Sequence, residues 1–87
     1  MNLTRPPLIL AGQVYLNADL NEYLIVTNNN RGQVAYEGVG FKGQAEDVLF
    51  IERFQPVNPS DVDQVELDEL SEFCDAGIQP STGYIIE

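Results

Sequence analysis

The chain has 87 residues, 44% of them hydrophobic, which is enough for one small folded domain and too many for a disordered chain. Fourteen acidic and four basic residues give a net charge of -10, and phosphate backbones repel such a surface. A single cysteine leaves no internal disulfide and too few thiols for a zinc site, which fits a reducing compartment, so we expect a cytoplasmic protein. The apolar run LILA is too short for a signal peptide or a membrane span.

Three segments in the first half of the sequence predict strands. Leu8–Leu16 alternates apolar residues on one face, with Gly12 at a predicted bulge. Tyr23–Thr27 is β-branched and aromatic, and Gln33–Glu37 alternates again. Between the last two segments, NNNRG supplies residues that tolerate positive φ, which predicts a β-hairpin.

The apolar segment Val48–Phe54 predicts a fourth strand, because it is short and rich in β-branched and aromatic residues. A short helix that starts near Ala45 is the alternative, since a short apolar run has no decisive period. Pro56 and Pro59 follow, and we expect them to end this element.

After Pro59 the spacing of apolar residues changes from two to three and four, which predicts a helix. Asp63 and Glu66 have the spacing of a capping box, and Gly77 suits the position after the last turn. The predicted helix therefore covers about Gln64–Ala76. Its apolar face, which should pack on the sheet, comprises Leu67, Leu70 and Cys74, with Phe73 at its edge.

The order of these elements predicts a mainly β fold with one helix, in a single domain over residues 1–87. Short turns between the early strands favour a strongly bent antiparallel sheet or a small barrel over residues 8–57. An acidic helix segment follows at residues 61–77. The sequence GYIIE at residues 83–87 predicts a short closing strand.

The stretch YLIVTNNNRGQVAYEG, followed by FIERFQPV, resembles the strand pattern of the Tudor- and KOW-like small barrels. The resemblance covers about residues 8–57 and implies a barrel there, without assigning any functional residue. The chain differs from the nucleic-acid-binding members in its negative charge and its added acidic helix. Its size and acidity are also similar to small accessory proteins of bacteriophages that disarm host machinery.

Residues 38–43, GVGFKG, match the dinucleotide-binding pattern G-x-G-x-x-G. That pattern binds pyrophosphate between a strand and a helix of a parallel sheet, whereas the segment that follows here predicts a strand. We therefore interpret GVGFKG as a loop between two strands, in which glycines allow a tight backbone and Phe41 is either tucked in or exposed at the tip. No cofactor is predicted.

Neither a metal site nor a catalytic site is predicted. Asp61, Asp63 and Glu72 occupy three ligand positions of an EF-hand calcium loop, but Glu66 stands where that loop requires glycine. Loose binding of divalent ions to clustered acids stays open. The chain has no histidine, and Cys74 falls on the apolar helix face, where a thiol is most often a small hydrophobe. We therefore expect a protein that is not an enzyme.

The acidic residues are concentrated in the last third of the chain. Residues 61–87 contain eight acids and no base, whereas residues 1–60 contain six acids and four bases. On the predicted helix, acids three or four residues apart repel one another, at about 1–2 kcal/mol in all. Roughly five acids over ~18 Å of helix give one charge per ~3.6 Å, close to the ~3.4 Å of one DNA strand. The predicted contact surface for a basic partner comprises Asp68, Glu69, Glu72 and Asp75.

Three functions are compatible with the sequence. The first is a non-enzymatic interaction protein whose acidic helix binds, and inhibits, a basic protein such as a nucleic-acid-handling factor. The second is a small-barrel module that binds RNA or DNA through its strand face, where Arg31, Lys42 and Arg53 would cluster beside aromatic side chains. The third is a structural subunit of a larger assembly, in which the acidic face serves only solubility.

Overall fold

The segment YLIVTNNNRGQVAYE forms the middle of a five-stranded sheet in the computed structural model, which describes residues 9–80. Five strands are present in this range: β1 (Val14–Asn17), β2 (Glu22–Asn30), β3 (Gln33–Gly38), β4 (Phe41–Glu46) and β5 (Gln55–Val57). The helices are α1 (Asp47–Arg53) and α2 (Gln64–Glu72), with a 3-10 turn (Pro59–Asp61) before α2. The mainly β fold is confirmed, but two α-helices are present where one was predicted.

All ladders of the sheet are antiparallel, in the order β4-β3-β2-β1-β5. β4 and β5 lie at opposite edges, and within residues 9–80 no ladder joins them. The sheet is therefore open, and the predicted alternative of a small barrel is not confirmed. Pro56 lies inside the edge strand β5 instead of ending an element, because an edge strand tolerates a residue without an N–H donor.

The two faces of the sheet carry different helices, since successive strand residues point to opposite sides. On one side, called the α1 face, the core comprises Tyr15, Leu24, Val26, Val34, Phe50 and Phe54. On the other side, the α2 face, Val14 and Ile25 are buried, and α2 packs against β2. Glu37 lies opposite Ile25 in the ladder and accepts a hydrogen bond from the segment after α2, which places α2 on this side. The sheet thus separates α1 from α2.

The segment Val48–Phe54 was predicted as a strand and lies largely in α1, so the alternative of a helix starting near Ala45 is the correct one. Four consecutive apolar residues, VLFI, fit the period of a strand and that of a helix equally well, so the sequence pattern did not decide between a strand and a helix. Phe50 in the helix and Phe54, the residue that follows it, are both buried in the same core. Asp47 occupies the first turn, where a negative charge is favourable.

An aromatic cluster holds α1 on the sheet. The ring centroid of Phe50 lies 4.6 Å from that of Tyr15 and 4.9 Å from that of Phe54. Tyr36 lies 5.2 Å from Phe54 and 5.7 Å from Phe50. Three of these contacts are edge-to-face, a preferred aromatic geometry. Because seven residues are too few for a stable isolated helix, this packing is what maintains α1.

The Tyr15 hydroxyl is buried at the same core and donates a hydrogen bond to Gln13 Oε1 at 3.2 Å. Burial raises the pKa of this hydroxyl from its ordinary value of 10.0 to about 12. The neutral phenol is therefore the form that fits the core, and its ionisation reports on core integrity.

The predicted hairpin between β2 and β3 is confirmed, with Asn30 paired to Gln33 across a two-residue turn. The turn residues Arg31 and Gly32 have φ values of 55 and 87, the positive pair that a type I′ turn needs. An arginine pays about 1–2 kcal/mol for this left-handed conformation, because its Cβ crowds the next carbonyl. The long ladder on both sides of the turn holds Arg31 in this conformation.

The start of β1 and the presence of β4 also differ from the prediction. β1 begins at Val14, because the predicted bulge at Gly12 is a turn in which this glycine has a φ of 96. Leu8, the predicted start, lies outside the described residues. β4 was not predicted, since FKGQAE is mostly polar and has little strand propensity. It forms because the turn at Val39 and Gly40 places it beside β3.

α2 begins at the predicted Gln64 but ends at Glu72, four residues before the predicted end. The next residue, Phe73, is 54% exposed, so burial does not support a further helical turn there. The predicted closing strand at residues 83–87 lies outside the described residues. Neither α1 nor α2, the helices of the described range, has the length and apolarity needed to cross a membrane.

Candidate functional site: the acidic face of α2

Burial of one side of α2 fixes the helix on the sheet. Leu70 is only 2% exposed, and Val62 before the helix and Cys74 after it are also buried. Leu67, a turn before Leu70, is half-buried. At the start, the carbonyl of Asp63 accepts hydrogen bonds from the N–H groups of residues 66 and 67. No side-chain bond of a capping box forms at Asp63, so packing and not capping supplies the main attachment.

Two polar contacts attach the segment after α2 to the sheet. The backbone N–H of Asp75 donates to Glu37 Oε1 at 2.7 Å, and Glu37 is only 8% exposed. The Asp75 carboxylate forms an ion pair with Lys42, with 3.0 Å between Nζ and Oδ2. The pKa of the Lys42 ammonium is raised above its usual value, mainly by the hydrogen bond to Asp75 and then by the negative charges of Asp75 and Glu37. Both side chains of the ion pair are exposed, so the Glu37 bond is the stronger attachment.

The outer face of α2 is the side turned away from Leu70. At 100° per residue it covers an arc of about 100° and contains one apolar and three acidic side chains. These residues are Val65, Asp68, Glu69 and Glu72. Val65 is 68% exposed, more than any other large hydrophobic side chain in residues 9–80. The outer face thus places an exposed valine at its N-terminal end, followed by three carboxylates along the same side of the helix.

The outer face has no cation of its own in the described part of the chain. Asp68 Oδ1 accepts a hydrogen bond from Gln64 Nε2 at 2.9 Å, a neutral partner one turn earlier. Glu69 and Glu72 form neither an ion pair nor a side-chain hydrogen bond with another described residue. The negative charge of this face is therefore directed at solvent.

The structure brings three of the four predicted contact residues together. Asp68, Glu69 and Glu72 share the outer face, whereas Asp75 lies beyond the end of α2 and is paired with Lys42. The prediction that Leu70 packs on the sheet is confirmed. The packing prediction for Phe73 is wrong, because the helix ends before it and leaves its ring exposed.

The basic residues proposed for a nucleic-acid surface are not gathered within residues 9–80. Arg31 lies in the β2–β3 turn, whereas Lys42 lies next to the opposite end of β3, opposite Glu37. Four residues of strand separate these positions, or about 13 Å. Arg53 ends α1 on the α1 face, while Lys42 is paired with Asp75 on the α2 face.

The segment GVGFKG contains the turn between β3 and β4 at Val39 and Gly40, and its other four residues belong to these two strands, so the predicted loop is shorter than the motif. Each glycine has a structural reason. A Cβ on Gly38 would lie 2.2 Å from the Phe41 ring, and one on Gly43 would lie 2.7 Å from the Tyr36 hydroxyl. Gly40 has a φ of 91, which favours glycine in the turn. β4 follows the motif, so the helix that a pyrophosphate site requires does not begin there.

The acids with EF-hand spacing do not converge in the structure. Asp61 ends the 3-10 turn, Asp63 precedes α2, and Glu72 is the last residue of α2. About 13 Å of helix therefore separates the first two acids from Glu72. No cluster of three or more His, Cys, Asp or Glu side chains with the geometry to hold a metal ion occurs among residues 9–80. Cys74 is a free, buried cysteine.

Glu37 is the residue that sequence reasoning missed. Its signal was available in retrospect: a two-residue turn at Val39 and Gly40 pairs Gly38 with Phe41 and therefore Glu37 with Lys42. That register places a carboxylate beside the ammonium that binds Asp75. The burial of Glu37, by contrast, depends on where α2 docks and has no signal in the local sequence.

Comparison of the chain with protein-family models, with curated proteins and with solved structures found no match.

Proposed function

We propose that this protein is a non-enzymatic interaction protein, which binds and inhibits a basic protein through the outer face of α2. The partner class is a nucleic-acid-handling factor, whose phosphate-binding site offers a surface of opposite charge. The size and acidity of the chain suit an accessory protein of the kind by which bacteriophages disarm host machinery.

One observation carries the proposal: the outer face of α2 combines an exposed apolar side chain with carboxylates that form no ion pair with any residue in 9–80. Val65 is 68% exposed, and Asp68, Glu69 and Glu72 follow it along the same side of the helix. Interfaces use such an arrangement, since a buried apolar centre supplies binding energy and surrounding charges supply orientation and speed of association. Asp75 extends this surface, although its ion pair with Lys42 reduces its net charge there.

The charge spacing on α2 supports the choice of a nucleic-acid-handling partner. The helix contains nine residues and carries Glu66 besides the three acids of the outer face. Four charges along about 13 Å of helix give one per ~3.4 Å, similar to one DNA strand. The linear charge density of α2 is therefore similar to that of the backbone such a partner binds.

Charge reversal of the outer face tests the proposal. Tagged protein is used to capture its partner from native cells, and the purified partner is then titrated against Asp68→Lys with Glu72→Lys at several salt concentrations. We expect a loss of affinity of at least about tenfold at low salt, because attraction becomes repulsion at two contacts. A nucleic acid substrate of the partner should compete with the unmodified protein.

The matched control is Glu46→Lys with Glu52→Lys, which makes the same change in net charge at two exposed positions, the N-cap and the last turn of α1. It should weaken binding only slightly. If both double variants bind the partner with the affinity of the unmodified protein throughout the salt series, the outer face is only a solvated surface and the proposal is wrong.

A further inference from the structure

A groove runs between α2 and the β3–β4 turn, on the flank of α2 next to the outer face. Its volume is about 160 Å³, and its walls include Glu22, Tyr23, Val39, Phe41, Glu66 and Glu69. We call it the α2 groove. Pockets for drug-sized ligands measure roughly 300–1,000 Å³, so the α2 groove has room for a single side chain and not for a nucleotide.

The lining of the α2 groove restricts what can occupy it. Tyr23 and Phe41 are half-buried, and Val39 is 45% exposed, so an apolar or planar group can pack there. Glu22, Glu66 and Glu69 contribute three carboxylates. None of the three forms an ion pair or a side-chain hydrogen bond with another described residue. Anionic ligands are repelled by these carboxylates, and a purely apolar ligand would leave them without a partner.

The α2 groove is also separate from the chain's own cations in the described range. The nearest base is Lys42, whose ammonium is held by Asp75. Arg31 and Arg53 lie at the β2–β3 turn and at the end of α1. The three carboxylates of the groove favour an occupant with a positive charge, and its half-buried rings favour an occupant with an apolar stem.

We infer that the α2 groove receives an arginine side chain of the basic protein partner. A guanidinium stacks on an aromatic ring and binds carboxylates through two parallel hydrogen bonds, which suits Tyr23 beside Glu66 and Glu69, with Phe41 at the rim of the groove. Lysine fits less well, because its ammonium is a strongly hydrated point charge. This inference rests on the proposed function and names the group that the partner inserts beside the outer face.

An amide NMR titration with an end-blocked Gly-Arg-Gly peptide tests the α2 groove directly. We expect saturable shifts at Tyr23, Val39 and Phe41, and binding of a Gly-Lys-Gly peptide that is several-fold weaker. Glu66→Gln with Glu69→Gln should weaken Gly-Arg-Gly binding at least about fivefold, because charge-assisted hydrogen bonds become neutral ones. Val39→Lys places a cation at the groove and should have the same effect.

Asp68→Asn with Glu72→Gln is the matched control, since it removes the same charge from the outer face and leaves the groove intact. It should change Gly-Arg-Gly binding less than about twofold. The inference is overturned if both double variants weaken Gly-Arg-Gly binding equally, or if the amide shifts occur at residues outside the groove, because either result would show diffuse attraction only. The proposed function is judged separately, by the partner's response to Asp68→Lys with Glu72→Lys. Each can therefore fail without the other.

Discussion

Replacing Leu70 by alanine tests whether burial holds α2 and its acidic face on the sheet. Leu70 is the buried residue of the helix, at 2% exposure. The substitution removes three carbon groups, and each buried methylene contributes about 0.8 kcal/mol, which gives ~2.4 kcal/mol. The cavity that remains adds to this cost, within the ~2–5 kcal/mol range of such substitutions. Leu70 also lines the open α2 groove, which can collapse in part, so we expect about 3 kcal/mol.

The free energy of unfolding is measured by urea titration with circular dichroism, and the melting temperature should fall by roughly 10–25 °C. Val65→Ala is the matched control, because Val65 lies on the same helix and is 68% exposed. That change should stay within about 0.5 kcal/mol and can even stabilise the helix, since alanine is the better helix former. A loss below about 0.5 kcal/mol for Leu70→Ala, or one equal to that of the control, would refute the docking of α2.

Three further predictions concern the core, the hairpin and the attachment of α2. The pKa of Tyr15 is about 12 in the folded state and 10.0 as an ordinary phenol, so the stability that its neutral form contributes is complete below pH 10.0 and is lost as pH rises to about 12. Urea titrations at alkaline pH should show this loss in the unmodified protein and not in Tyr15→Phe. Arg31→Asn should stabilise the protein by about 0.5–1 kcal/mol in thermal melts, because asparagine tolerates the positive φ of this turn. Glu37→Ala should cost about 1–3 kcal/mol by urea titration, whereas Glu37→Gln, which keeps an acceptor for the Asp75 N–H, should cost less.

The β2–β3 hairpin was predictable because local and tertiary signals agree there. Tyr23–Thr27 has strand propensity, NNNRG has turn chemistry, and Val34 and Tyr36 alternate as a half-buried strand requires. Even so, the sequence did not show that β2 extends to Asn30, because three asparagines are poor strand residues. Their strand conformation comes from the ladder with β3 and not from propensity.

α1 and β4 were not predicted correctly because tertiary contacts overrule local preference in both. VLFI fits a strand or a helix, and the decision depends on Phe50 and Phe54 meeting Tyr15 and Tyr36 on the α1 face. FKGQAE becomes a strand because a tight turn aligns it with β3. In each case the deciding partner is a residue elsewhere in the chain, which a reading of a short window does not contain.

The candidate site was predictable in composition and not in geometry. The acids of the helix could be named from the sequence, but the end of α2 at Glu72 separates Asp75 from the other three. The α2 groove had no signal in the sequence. It arises because Glu22, Val39 and Glu66 come from three separate segments that meet only when α2 docks.

Solubility alone does not account for the placement of charge on α2. A small domain stays soluble with a net charge of magnitude about 2–8, and without the four acids of α2 the net charge of -10 would become -6. The pairs 66/69, 68/72 and 69/72 place like charges three or four residues apart, at a cost of roughly 0.6–1.5 kcal/mol. Lysines interspersed among these acids would remove that cost and keep the helix soluble. The burial of Leu70 and the Glu37 bond offset it instead, so the fold maintains a helix whose acidic side chains repel one another.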